Sequence, residues 1–493
     1  MRAVSTPPSR LTYLLYRAPW SGLVVWSAVV FVVAASVARS FVEPLLRYDE
    51  PGHLDYVLSV WNGHLPVFED GLTHQAPFGW DMPVQWTAQH PPLYYLLLAP
   101  VVGPLFDADH ALVAVIAGRL VGALITGGVV LGSAWTAARC FPAARRLPGG
   151  VAVVTSLCGQ LIQQGGQIYN DVLFVFLLVL ACGIAGAAIR SGVGPGLLTA
   201  ATLVGAAGMT TRLSFGLWLV ALVVSIALAR RVQLWRLGGI WARIVATVLP
   251  LAGAGLASGW FYLRNKALSG NISGRHVQWG LDNLNRTERP HVEVATSSGF
   301  WSSLFALYRS HLNGNDPLQW VLLLGPIVLG IVLGLMLLLV RRVNAGRATA
   351  VAGRRPRRGD RIAPALVVAM FATVSVLLIV VEIDYVHGGG APITRYALTM
   401  LPVVTIMMAA GLTAFRRSSG PLLTVWTVAA FVAFFSQVEL SADVDLRVPH
   451  AALVSRTMLV VCVVATLGIV VGGFLDARRP LRAGAPRDLG VTG

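Results

Sequence analysis

The chain is organised by blocks of apolar residues, many close to 20 long, separated by short polar runs; Trp320 to Val340 and Ala363 to Val381 are typical. A helix of about 20 apolar residues spans the hydrocarbon core of a bilayer. Within that core the backbone must satisfy its own hydrogen bonds. The pattern therefore predicts an all-α polytopic membrane protein with about 12 transmembrane helices. They fall near 21–38, 111–138, 149–164, 171–189, 196–210, 213–229, 240–260, 319–340, 363–382, 396–415, 420–437 and 452–475. The transmembrane domain then covers 21–475, between a cytoplasmic N-terminus over 1–20 and a cytoplasmic tail over 476–493. The first block lacks a cleavage site and reads as a signal anchor. The apolar stretch Pro91 to Phe106 is too short to span and carries Pro100 and Pro104, so it is expected to lie flat at the outer interface.

Charge fixes the orientation. Of 38 basic residues only Lys266 is a lysine, and with both termini cytoplasmic most of the arginines fall on the inner side. All but three of the 22 acids, and all ten histidines, fall at or beyond the outer face. Two outer loops are long, about 39–110 and 262–318, which marks them as functional. The inner loop 341–361 is a basic linker apposed to the membrane. Composition agrees: the chain is 56% hydrophobic and 12% charged, with a mean hydropathy of +0.70. The net charge of +16 follows the positive-inside rule, so no nucleic acid is expected as a partner. Four cysteines lie in or beside apolar blocks without paired spacing, which indicates neither disulfides nor zinc. The chain is expected in the inner (plasma) membrane, and the arginine, alanine, glycine and valine bias suggests a high-GC bacterial genome.

The first outer loop concentrates the chemistry. Asp49, Glu50 and His53 stand where the chain has just left the first span, and Pro51 suits the first turn of a helix. Helical spacing brings the carboxylates and the imidazole together. Leu54, Val57, Leu58 and Trp61 form one apolar face, expected to lie on the membrane. A carboxylate at the water–lipid boundary can take a proton from an acceptor hydroxyl as it attacks a sugar carbon. The alternative duty for Asp49 is capping that helix. Asp49, Glu50, His53 and His90 lack tight metal-ligand spacing, so no cofactor is expected, with a divalent metal left open. Tyr94, Tyr95 and Phe106 read as an aromatic belt, and Gln160, Gln163 and Gln164 as glue between helices.

Several short motifs follow in order on the outer side. Asp49-Glu50 is followed by Gln89-His90-Pro91-Pro92-Leu93-Tyr94-Tyr95, then Ala117-Gly118-Arg119-Leu120 and Tyr169-Asn170-Asp171. Trp260-Phe261-Tyr262-Leu263-Arg264-Asn265 and Thr394-Arg395-Tyr396 complete the set. Over most of residues 20–415 the chain resembles the glycosyltransferase C superfamily. The nearest branch is the protein O-mannosyltransferase and lipid A aminoarabinose transferase group (glycosyltransferase family 39), with its actinobacterial relatives. The resemblance implies interfacial helices between the first two spans and Asp49 as general base. It also implies a polyprenyl-phosphate sugar as donor and transfer outside the cytoplasm. Many members carry lysine where this chain has His90, a weaker cation near neutral pH.

Arginine, with its planar fork of donors, is the expected partner for the donor phosphate. Candidates on the outer side are Arg119, Arg212, Arg264 and Arg395, of which Arg395 follows the flexible run Gly388-Gly389-Gly390. Arg119 lies inside its span and needs a partner, either Asp171 or an acid of the first loop. Asp49, Glu50 and His53 are thus expected as catalytic residues, with His90, Arg119, Asp171, Arg264 and Arg395 binding substrate. The acceptor is a cell-wall glycan, a lipid or a protein. Two rival readings stand beside transfer: a transporter or flippase of a lipid-linked substrate, and a non-catalytic scaffold. The acids avoid the middle of the spans, where a transporter places its polar residues.

Overall fold

A computed structural model of the chain describes residues 19–235, 237–309, 317–345, 358–415, 418–441 and 448–478. Most of the basic inner loop, the first 18 residues and the tail beyond 478 lie outside the described residues.

The described chain is helical throughout, with isolated bridges in place of strands. The first half comprises α1 (Pro19–Val42), α2 (Glu50–Trp61), α3 (Leu93–Asp107), α4 (Ala111–Cys140), α5 (Leu147–Ser156), α6 (Gly159–Gly165), α7 (Asp171–Ser191), α8 (Pro195–Met209), α9 (Phe215–Ala227) and α10 (Gly239–Ser269). Three short helices lie in the second outer loop: α11 (Val277–Asn283), α12 (His291–Thr296) and α13 (Ser298–Leu304). The remainder comprises α14 (Pro317–Ala345), α15 (Arg358–His387), a tight 3₁₀ turn (Thr394–Met400) leading into α16 (Leu401–Thr413), then α17 (Ser419–Ser441) and α18 (Ala451–Arg478). Among the described residues nine helical segments are long and apolar enough to cross a membrane. This is an all-α polytopic membrane protein.

The predicted spans and the observed helices differ where tertiary contacts intervene. The block 149–164 is two helices, with Cys158 extended between them (φ −69°, ψ 104°). The second outer loop stitches this break: the Gln160 N–H donates to the Leu307 carbonyl (3.2 Å), and the Tyr308 hydroxyl donates to the Val154 carbonyl (2.9 Å). Broken helices are tolerated at membrane depth when another segment satisfies the freed groups in this way. The expected pair 196–210 and 213–229 forms α8 and α9, of 15 and 13 residues, with Arg212 between them drawn to the Asp171 carboxylate. Helix α3, also 15 residues, is about 22 Å long at 1.5 Å per residue. Its Leu96 and Leu97 are exposed, whereas Tyr94 and Tyr95 are fully buried.

Helix α4 lies between α1 and α7, and α18 packs along α1. The α1–α18 contact is antiparallel, with Cys462 against the Phe31 carbonyl, Gly468 against Ser27 and Gly472 against Val24. A Cβ at Gly468 would stand 2.3 Å from the Ser27 hydroxyl, so the absence of a side chain is what allows this approach.

Candidate active site at the start of the first outer loop

The chain leaves α1 and turns sharply before α2. Leu46 (φ 48°) and Tyr48 (φ 58°) both adopt the left-handed conformation, uncommon for non-glycine residues. Such strain persists only where surroundings over-determine it. Here the Glu50 carboxylate accepts the Leu46 N–H (3.1 Å), and the Trp80 N–H donates to the Leu46 carbonyl (3.0 Å).

Glu50 anchors the turn to the bundle. Its side chain and that of Arg119 are both fully buried. Arg119 donates from Nε (2.8 Å) and Nη2 (2.6 Å) to the two carboxylate oxygens. Its remaining donors close the end of α1, on the carbonyls of Ser40, Glu43 and Pro44, each at 2.9 Å. Glu50 also accepts the Ile168 N–H (3.0 Å). A guanidinium carries five N–H donors, and all five are engaged. Glu50, expected as a catalytic residue, and Arg119, expected to bind substrate, are thus taken up by each other and by backbone groups. Arg119 takes a first-loop acid as its partner, not Asp171.

Asp49 is placed differently. It occupies the capping position of α2, but its side chain makes no cap hydrogen bond. The carboxylate instead pairs with Nη2 of Arg395. The Asp49 side chain keeps 34% of its surface exposed and that of Arg395 14%. Burial opposes ionisation of Asp49, but the Arg395 guanidinium beside it prevails and holds the carboxyl below its ordinary value. Arg395 lies 5.3 Å over the Tyr169 ring and 5.4 Å over the Tyr396 ring. Its Nε–H has no hydrogen-bond partner among the described residues.

His53 lies one turn on, its Nδ1 2.9 Å from the Tyr95 hydroxyl and its ring 4.7 Å from that of Tyr169. Burial pushes its pKa down to about 3, so the imidazole is neutral. The His90 ring lies parallel to it at 6.1 Å. Burial, then Arg212, keeps His90 well below its ordinary value too. With both imidazoles neutral, the positive charge at the cluster comes from Arg395, with Arg212 and Arg286 acting from farther off. Asp171 is in a nearly buried ion pair with Arg212, close enough to act electrostatically on His53. Arg264 stands apart: it donates to the Pro66 carbonyl (2.8 Å) and ties α10 to the first loop.

Two expectations about surfaces change. Helix α2 does not lie on the membrane, since Glu50 to Ser59 are all buried in protein. Tyr94 and Tyr95 are no lipid-facing belt: both are fully buried, and Tyr95 belongs to the site. Of the glutamines, Gln163 donates to Glu43 at the end of α1 (3.2 Å), as expected of a residue joining helices. Sequence reasoning missed Asp55, fully buried, which accepts the N–H groups of Thr73 (2.9 Å) and His74 (2.7 Å) and so fixes the loop beyond α2. Its sequence signal was slight: a lone carboxylate in α2, off the face formed by Leu54, Val57, Leu58 and Trp61. It also missed Arg286, which acts electrostatically on Asp49 from the second outer loop. A cavity of about 260 Å³ flanks this turn, lined by Leu46, Pro51, Leu54, His74, Trp80 and Asp81 among others. Among the described residues no three His, Cys, Asp or Glu side chains come together as a metal-holding group.

No family model matches the chain, and no curated protein matches it. Among solved structures it is similar to the Archaeoglobus fulgidus oligosaccharyltransferase tethered to an acceptor peptide through a disulfide bond. The two share 12% identity with a TM-score of 0.41, over 92% of this chain and 55% of that one. The chain thus spans little more than half the length of that protein, and a likeness this distant carries no weight for the chemistry.

Proposed function

We propose that the chain is a membrane glycosyltransferase of the glycosyltransferase C type. It moves a monosaccharide from a polyprenyl-phosphate donor to an extracytoplasmic glycan, lipid or protein acceptor. The observation that carries this reading is the Asp49–Arg395 pair, which joins an ionised carboxylate free of capping duty to a guanidinium with an unengaged N–H.

In this reading the pair is a latent base. Bound to Arg395, Asp49 is a weak proton acceptor, because the cation stabilises its charged form. The donor phosphate is a stronger partner for a guanidinium than a single carboxylate oxygen. As Arg395 turns to the phosphate, Asp49 loses its compensating charge, and burial raises its pKa toward that of a useful base. The acceptor hydroxyl then attacks the anomeric carbon and passes its proton to Asp49. The bond from that carbon to the phosphate oxygen breaks, and polyprenyl phosphate leaves with its charge on Arg395. Base activation is thus tied to donor binding.

Purified chain given a labelled polyprenyl-phosphate sugar tests this. Asp49→Asn should lower transfer by about a hundredfold or more while the chain still folds and unfolds cooperatively at a somewhat lower temperature. Wild-type rates in that variant would remove Asp49 as the base. Donor movement across proteoliposomes without covalent transfer would replace the reading with transport.

A further inference from the structure

The end of the bundle remote from Asp49 carries a second built site. Between α9 and α10 the chain runs through Arg230, Arg231, Gln233, Trp235 and Leu237 before α10 begins after Gly238. This connection is fixed in place. The Arg231 carbonyl accepts the Val193 N–H (2.8 Å), the Gln233 N–H returns to the Val193 carbonyl (3.0 Å), and Leu234 and Leu237 bond each other in both directions. Leu234 is fully buried, which plugs the loop into the core. The loop borders an open cleft of about 540 Å³, lined by Arg230, Arg231, Arg243 and the first residues of α10 among others, within the size range of small-ligand sites.

The charged part of the lining is of one sign, beside apolar Val232, Trp235, Leu237 and Ile240. From residue 228 to 243 the sequence contains no acid. Arg230 and Arg231 are exposed, with no side-chain hydrogen bond or ion pair among the described residues, whereas Arg243 is occupied by the Ala227 carbonyl at the end of α9. The N-terminus of the 31-residue α10 opens beside them, adding N–H donors and the positive end of its dipole. Trp235 (69% exposed), Trp241 (67%) and Ile240 (64%) project from the same patch. Exposed indoles beside arginines suit the headgroup level of a bilayer rather than open water.

We propose that this cleft binds the phosphodiester headgroup of an anionic phospholipid in the leaflet opposite the Asp49 site. The arginines and the α10 N–H groups hold the phosphate, and Trp235 and Trp241 lie along the acyl–headgroup boundary. Free phosphate shares the headgroup's charge but gains nothing from the indoles. Positive-inside sorting places arginines on a face without building a cleft around them, and this difference is what the test exploits.

Native mass spectrometry of the full chain, titrated separately with phosphatidylglycerol, phosphatidylcholine and inorganic phosphate, reads the site directly. Phosphatidylglycerol should bind in preference to both. Arg230→Gln/Arg231→Gln should weaken phosphatidylglycerol binding roughly 25-fold, at about fivefold for each arginine near a lipid surface. The control Arg139→Gln/Arg145→Gln removes the same charge from exposed positions outside the cleft and should leave binding unchanged. Equal losses in the two variants would reduce the effect to general surface charge, and undiminished binding in the first would remove the site. Inorganic phosphate binding as tightly as the lipid would make the ligand a soluble phosphate and overturn the lipid assignment.

Discussion

Glu50 has no exposure and is held by Arg119 and two backbone N–H groups, whereas its neighbour Asp49 keeps a third of its side chain open and meets one cation. Different outcomes follow for the two. Breaking a buried pair by removing one partner strands the other charge, so Arg119→Ala should cost about 3–5 kcal/mol, measured by thermal unfolding in detergent. Arg395→Lys keeps the charge but loses the fork; it should fold normally and show weaker donor binding in steady-state kinetics. His53 provides a pH signature. Its folded pKa of about 3 lies below the unfolded value near 6.5, so between those limits the unfolded state binds more protons. Stability is therefore fully present above about pH 6.5 and falls as pH drops toward 3, by at most about 1.4 kcal/mol per unit. His53→Gln should flatten that part of the melting profile; an unaltered slope would place the proton elsewhere. Asp49 and Arg395 were each legible in the sequence, one after the first span and the other after a glycine run. That the start of the first outer loop faces Arg395 was also expected, from their shared outer side; that Asp49 and not Glu50 meets it was not, because a contact across 346 residues leaves no local pattern.

At the scale of elements, the longest apolar runs were legible because bilayer thickness dictates their length. The break between α5 and α6 was hidden, since Leu307 and Tyr308, which stitch it, belong to another part of the chain. Helix α2 shows a different limit. Leu54, Val57 and Leu58 recur at helical spacing, and that pattern is the same whether lipid or protein covers the face. Here protein does. The α1–α18 seam supports a further expectation. Gly468→Leu places a side chain where the Ser27 hydroxyl stands 2.3 Å from a bare Cβ. Overpacking of this kind costs about 1–3 kcal/mol, and unfolding temperature should fall accordingly, while Gly255→Ala, with open space around it, should change little.

At the scale of the whole molecule, the two long loops hold most of the carboxylates and histidines, together with arginines such as Arg264 and Arg286, whereas the short connections 139–147 and 228–238 hold arginines and no acid. Cysteine labelling can assign these segments to compartments. Cys140, Cys158, Cys182 and Cys462 are all buried, so a single introduced thiol reports against a quiet background. In intact cells a membrane-impermeant maleimide should label Gln278→Cys in the second outer loop and leave Arg145→Cys unlabelled until the cells are opened. Both parent side chains are exposed; the reverse pattern would invert the orientation.

The α1–α18 seam also sets a schedule. Phe31 and its partner Cys462 are separated by 431 residues, and ribosomes add about 5–20 residues per second. For roughly 20–90 seconds at that rate, α1 sits in the bilayer without the helix that will cover it. Its early companions are α4 and α5, so the Glu50–Arg119 clasp can close long before the seam does. The turn carrying Asp49 can thus be set early, while the face of α1 around Val24 and Ser27 waits for α18. A nascent chain arrested before Ala451 should hold that turn and still leave Val24 open to lipid-phase crosslinking.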